Sequence, residues 1–208
     1  MEIHSPERPI HSVKDFLLAL TTITIGILIA MSLEGIVTWS HHRTLVREAK
    51  ARLAEEIADN TREVSEFLNE LPAVMKSQGE TIRFIDDRLA RKPMPSGPVE
   101  LKTTFRVMSL SSTNWTTAQT TGALGYMDYA DVQKYANAYD LQAKVAQLQD
   151  RMLEGFIGSV KPADPDKATE GELRAWKRDT AAATSYLDGL RQLADGLLKD
   201  YANARAPR

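Results

Sequence analysis

Between Lys14-Asp15 and Glu34 the chain reads FLLALTTITIGILIAMSL, 18 residues from Phe16 to Leu33 without a charge. The apolar run resumes with Gly35, Ile36 and Val37 and ends at Trp39. A helix rising about 1.5 Å per residue needs about 20 residues to cross about 30 Å of hydrocarbon. Residues 16–39 meet that length if Glu34 lies near the headgroups, and Trp39 then falls where interfacial aromatics gather. Leucines and β-branched residues cover every face of such a helix, which argues against the one-sided burial of a soluble core helix. The segment also lacks the short core and A-x-A site of a cleaved signal peptide, since Ala30-Met31-Ser32 is a poor match. Glu2 stands where myristoylation requires glycine, and no cysteine is present for a lipobox. The reading is one transmembrane helix over 16–39, after a tail of residues 1–15 and before an extramembrane domain over 40–208.

Two signals bear on which side that domain occupies. The flank after the span carries Arg43, Arg47, Lys50 and Arg52, against Arg8, Lys14 and the amino terminus before it. By the positive-inside rule this favours a cytoplasmic domain. An early uncleaved apolar helix, however, commonly exports the domain C-terminal to it, and on that ground the expectation is periplasmic.

Beyond the span the pattern is helical throughout, so the fold class expected is all-α. Val46, Leu53, Asn60 and Phe67 form one set of heptad positions, and Lys50, Ile57, Val64 and Leu71 the other. No Gly or Pro interrupts residues 40–71, so the membrane helix is expected to continue as one rod to Pro72. Pro72 suits the first turn of a new helix, which would carry Val74, Ile82, Phe84, Ile85 and Leu89 and fold back over the first. Pro93, Pro95, Gly97 and Pro98 mark a loop, and residues 99–110 read equally as a short strand or a connector. Ser112 or Thr113 is placed to cap a short helix through Leu124, and Asp128 with Asp131 to cap the next. That next helix shows a face of Val132, Tyr135, Tyr139, Ala143, Ala146, Met152 and Leu153. Thr169 and Glu172 have capping-box spacing. The last helix repeats Leu173, Trp176, Thr180, Ala183, Leu187, Leu190, Ala194, Leu197 and Tyr201 at three and four, a face that must be buried. Helices of this length joined by loops define a helical bundle.

The motifs of common enzymes are missing: no G-x-G-x-x-G, P-loop, H-E-x-x-H or G-x-S-x-G occurs. The absence of cysteine removes thiolate nucleophiles, disulfides and Cys-based metal sites. A net charge of −2 gives no basic excess for nucleic acid. His41 and His42 are adjacent and point about 100° apart on a helix, a poor chelate. Glu55, Asp59, Glu63 and Glu66, with Arg52 and Arg62, read as a solvated charged face, as do Asp86 and Asp87. No catalytic, cofactor or metal site is therefore expected. Two surfaces stand out instead. Trp115, Tyr126, Tyr129, Tyr135, Tyr139 and Trp176 could form bundle core, a ligand pocket or a protein-docking surface, since each joins an apolar body to a polar handle. Leu53, Ile57, Asn60, Val64 and Phe67 could form the seam of a coiled-coil homo-oligomer, helped by the small-x-x-x-small pair Gly26 and Ala30 in the span. On the seam reading Asn60 sets register, and Asn60→Leu tightens association.

Several segments, in order, resemble a widespread family of uncharacterised bacterial inner-membrane proteins. The first is GILIAMSLEGIVTW, with Gly26, Ala30, Glu34 and Trp39 in a G-x3-A-x3-[E/N]-x4-W pattern. The second is E-x-x-x-N at Glu56 and Asn60. The third is S-x-x-x-W-x-x-A-x-x-x-G-A-L at Ser111, Trp115, Ala118, Gly122, Ala123 and Leu124. The resemblance implies a single-pass protein of the bacterial inner membrane with a helical domain, and it carries no catalytic role. The function expected is a non-enzymatic membrane-anchored scaffold or protein-interaction module, with the lipid bilayer, another copy and an unidentified protein as its partners. The alternative is a small-molecule sensor using the aromatic cluster. A closed apolar core around Trp115 and Tyr139 favours the scaffold, and a polar-lined cavity of a few hundred cubic ångströms favours the sensor, by the usual sizes of ligand pockets of roughly 300–1,000 Å³.

Overall fold

A computed structural model describes residues 13–92, 106–157, 162, 164–165 and 167–206. Among them it holds four α-helices and no strand: α1 (Val13–Leu89), α2 (Thr113–Thr120), α3 (Tyr129–Ile157) and α4 (Glu170–Arg205). A 3-10 turn at Ala123–Tyr126 follows α2. The chain divides into two units, Met1–Glu48 and Ala49–Arg208.

The described part of the first unit is the apolar beginning of α1. Phe16, Leu20, Ile23, Ile27, Leu33 and Val37 are each at least half exposed, so nothing among the described residues covers this stretch. Among the described residues, α1 is the one helix long and apolar enough to cross a membrane. Thr21, Thr22, Thr24 and Ser32 return their hydroxyls to the carbonyl four residues back, which satisfies them without water.

The second unit is a bundle of the rest of α1 with α3 and α4. Lys50 meets Asp131, Glu56 meets Tyr139 and Asn60 meets Gln142. The numbers rise together, so α1 and α3 run in the same direction. Leu141 lies against Gly196 and Leu148 against Gly189, so α4 runs opposite to α3. At the far end of α1, Phe84 and Ile85 pack with Leu173 and Trp176 of α4, and Lys177 pairs with Asp86 at 2.6 Å. The capping box at the start of α4 forms as its spacing predicts: Glu172 N–H donates to Thr169 Oγ1, and Thr169 N–H donates to Glu172 Oε2.

Two expectations require correction. First, α1 does not end at Pro72 but continues to Leu89. The buried face steps through Leu53, Ile57, Asn60, Val64, Phe67, Leu71, Gln78, Thr81 and Ile85, keeping the four-three rhythm across the proline. A helix-interior proline costs about 3 kcal/mol through one lost hydrogen bond and a clash with the carbonyl four residues back. Pro72 is exposed, and buried residues lie on both sides of it along the same face of α1. Residues 73–89 thus extend the rod, and it is α3 and α4 that pack along it. Second, Leu53, Ile57 and Val64 are fully buried in a single chain, with Asn60 2% and Phe67 3% exposed. The five residues expected at an oligomer seam are covered by the chain itself, because α3 and α4 supply the complementary faces.

The expected face of α3 is also rotated. Tyr135, Tyr139 and Met152 are buried as expected, but Gln142, Val145 and Gln149 complete the face, while Ala143 and Ala146 are exposed. Of the segment 99–110, residues 99–105 lie outside the described residues, and 106–110 form an irregular connector.

Pro72→Ala restores the missing amide at a small entropic loss in the unfolded chain. The predicted result is an apparent stability gain of about 1–2 kcal/mol, read as a rise of several degrees in the helical melting temperature of the full chain in mild detergent. An unchanged or lower melting temperature contradicts a helix that continues through Pro72.

Candidate functional site

The most concentrated polar chemistry among the described residues lies where the connector Arg106–Ser112 meets α1 and α3. Glu56 of α1 is only 4% exposed, and its carboxylate accepts four hydrogen bonds. Tyr139 Oη donates to Oε1 at 2.6 Å and the Trp115 N–H at 3.3 Å. Ser111 Oγ donates to Oε2 at 2.7 Å and the Asn114 N–H at 2.9 Å. Two of these donors are backbone amides in the first turn of α2. Ser112, at the N-cap position, makes no side-chain cap bond, so Glu56 caps this helix from another element. A carboxylate suits the positive end of a helix dipole.

One turn further along α1, Asn60 grips the connector at Ser111. Its Oδ1 accepts from Ser111 N–H at 2.9 Å, and its Nδ2 donates to Ser111 O at 2.7 Å. Gln142 of α3 donates to the same carbonyl at 2.9 Å, while its Oε1 accepts from Asn60 and from Tyr201 Oη of α4 at 2.6 Å. Gln149 repeats the grip at Met108, accepting from its N–H at 2.9 Å and donating to its carbonyl at 3.1 Å. At the start of the connector, Arg106 lies within ion-pair distance of Glu63, Glu66 and Glu70 of α1. Among the described residues no buried side-chain polar atom lacks a partner.

Burial alone would raise the Glu56 pKa. The bonds from Tyr139, Asn114, Ser111 and Trp115 together outweigh it and hold the carboxyl below the ordinary range. Burial, and then the bond to Glu56, push the Tyr139 phenol upward, so it stays a donor at neutral pH. Burial does the same for Tyr201. The contact between Ser111 Oγ and Glu56 has the outline of a nucleophile and its base. A carboxylate below its usual range is a weak base, and its lone pairs are already taken, so the Ser111 hydroxyl is held rather than activated.

The six aromatic residues named from the sequence do not form one site. Trp115 stacks on Tyr139 with centroids 5.1 Å apart and planes 9° from parallel. Tyr135 is buried one turn earlier on α3. Tyr126 and Tyr129 are exposed, at 54% and 79%. Trp176 is buried in the separate cluster with Phe84, 6.2 Å away in an edge-to-face arrangement. Beside the connector an open groove of about 750 Å³ runs along α3, lined by Leu110, Trp115 and Ala143 and by the polar Ser112, Asp140 and Gln142 among others. The sequence reading places Glu56 and Ser111 only in the patterns of the resemblance and gives Gln142 and Gln149 no role. The available signal was positional: Glu56 and Asn60 fall in the apolar stripe of α1, and Gln142 and Gln149 stand seven apart between buried residues of α3.

No group of His, Asp or Glu among the described residues is arranged to hold a metal ion. Compared with known proteins, the chain matches no family, no curated protein and no solved structure. What the fold defines is a class: an all-α protein with one candidate membrane span.

Glu56→Gln leaves at least one buried donor facing an amide N–H. It is predicted to destabilise the fold by about 2–3 kcal/mol, an unsatisfied buried donor and lost charge-assisted bonds each contributing about 1–3. The lowered pKa fixes the sign of the pH effect. Its stabilisation is complete above the ordinary carboxylate pKa and is lost as pH falls through the lowered value. Denaturation of wild type and variant as a function of pH should therefore show the gap between them closing under acid. A constant gap from neutral pH to below the carboxylate range contradicts this account.

Proposed function

We propose that this chain is a non-enzymatic, membrane-anchored helical scaffold or protein-interaction module of the bacterial inner membrane. The observation that carries the reading is the use made of the buried polar groups. Glu56, Asn60, Gln142 and Gln149 each bond to backbone of the chain itself, and so serve the fold instead of a substrate. The anchor reading is supported by the beginning of α1, whose apolar side chains have no cover among the described residues. Each such side chain gains roughly 1.5–3 kcal/mol on leaving water, which lipid would supply. The domain is proposed to face the periplasm, and a compartment-specific reporter fused after Arg208 reads the side directly.

The sensor reading draws on one observation, the groove of about 750 Å³ beside the Trp115–Tyr139 stack. Its size is within the range of ligand pockets, and Ser109, Ser112, Asp140, Gln142 and Gln149 line it beside apolar residues, but it is open, and Gln142 and Gln149 are already bonded to backbone of the chain. The two readings separate in a small-molecule screen of the full chain in mild detergent, monitored by tryptophan fluorescence. The scaffold reading predicts no saturable change and no shift in melting temperature. Saturable quenching that is lost in Trp115→Phe, with the fold intact, would replace it with the sensor reading.

A further inference from the structure

Where the apolar part of α1 ends, one helix face carries Trp39, Arg43 and Arg47 at successive four-residue steps. All three side chains are exposed, Trp39 by 61%. The Arg43 guanidinium lies over the Trp39 ring, 5.3 Å from its centroid. Among the described residues neither Arg43 nor Arg47 is paired with a carboxylate. The next cations along α1 differ, for Lys50 is bonded to Asp131 and Arg52 to Glu55. Arg43 and Arg47 are thus left available to something outside the chain.

We infer that the Trp39–Arg43–Arg47 face is a binding site for the headgroups of anionic phospholipids. The inference rests on the membrane-anchor reading and adds a lipid preference to it. With Trp39 at the interface, the α-carbons of Arg43 and Arg47 lie about 6 Å and about 12 Å further along the axis. Helical side chains lean toward the N-terminus, here toward the bilayer, so each guanidinium sits about one turn closer to the lipid than its backbone. That depth is the headgroup layer, about 5–7 Å thick on each side. The cation–π contact with Trp39 keeps the Arg43 guanidinium beside the interfacial ring, and its several N–H groups suit a phosphate better than a lysine ammonium does. Glu48, next to Arg47, points about 100° away and does not close the face. A zwitterionic lipid offers the same phosphate with a competing cation attached, so a net-negative headgroup is preferred.

The test uses the full chain reconstituted in phosphatidylcholine vesicles containing trace spin-labelled phosphatidylglycerol or spin-labelled phosphatidylcholine. The immobilised fraction of each label gives the lipid preference. The expected result is a phosphatidylglycerol preference of about fivefold or more at about 0.1 M salt, falling to within about twofold at about 1 M. R43Q/R47Q should abolish it, and the charge-matched R52Q/R62Q should leave it intact. Equal immobilisation of the two labels by the wild type overturns the inference, as does a preference that survives R43Q/R47Q or falls equally in R52Q/R62Q. No immobilised component with either label is a different failure, because it removes the membrane anchor itself.

Discussion

Parallel neighbours set the central constraint of this domain. Because α1 and α3 run in the same direction, the chain leaving α1 must travel back along the bundle before α3 can begin. The described part of that connection before α2, residues 106–112, belongs to no helix or strand, and burying its backbone amides and carbonyls unpaired would be costly. The chain meets that demand with side chains from the helices on either side. Gln149 closes on Met108, and Asn60 and Gln142 close on Ser111. Glu56 then takes the first amides of α2. Each amide side chain offers a donor and an acceptor side by side, which is the pattern a neighbouring strand would present.

This arrangement explains why polar residues occupy positions that a bundle would normally give to leucine. Asn60 and Gln142 are in the middle of the helix interface and are also bonded to each other, with Tyr201 reaching in from α4. The network joins three helices and the return segment at one level. Fully satisfied networks of this kind specify a single packing, whereas partly satisfied ones are worse than an apolar core. The Trp115–Tyr139 stack lines the groove together with Gln142 and Gln149 of the network.

Much of the fold was legible because apolar periodicity survives in the sequence. The face of α4 from Leu173 to Tyr201 reads directly, with only Ala183 left half-buried, and its capping box forms. What escaped was polar. Gln78 and Thr81 carry the stripe of α1 past Pro72, but as polar residues they did not register as core, so a break was placed at the proline. Gln142 and Gln149 rotated the apparent face of α3 toward exposed alanines for the same reason. The site itself was scarcely legible, since the partner of each amide is backbone of a distant segment, and backbone groups leave no mark in composition. Trp115 and Tyr139 were found because aromatics are conspicuous, yet the same conspicuousness drew in Tyr126, Tyr129 and Trp176, which lie elsewhere.

The central claim is that side chains stand in for a missing strand along the return segment. Residue-resolved hydrogen exchange of the full chain in mild detergent tests it most directly, at the backbone amides of Met108, Ser111 and Asn114. Met108 and Ser111 belong to no helix or sheet, and Asn114 lies in the first turn of α2, where helical amides have no intrahelical partner. If Gln149, Asn60 and Glu56 hold these amides, they exchange about as slowly as amides in the middle of α3, and the Ser111 amide becomes fast in Asn60→Leu. Rapid exchange of all three in the wild type, at the rate of exposed loop amides, would contradict the account.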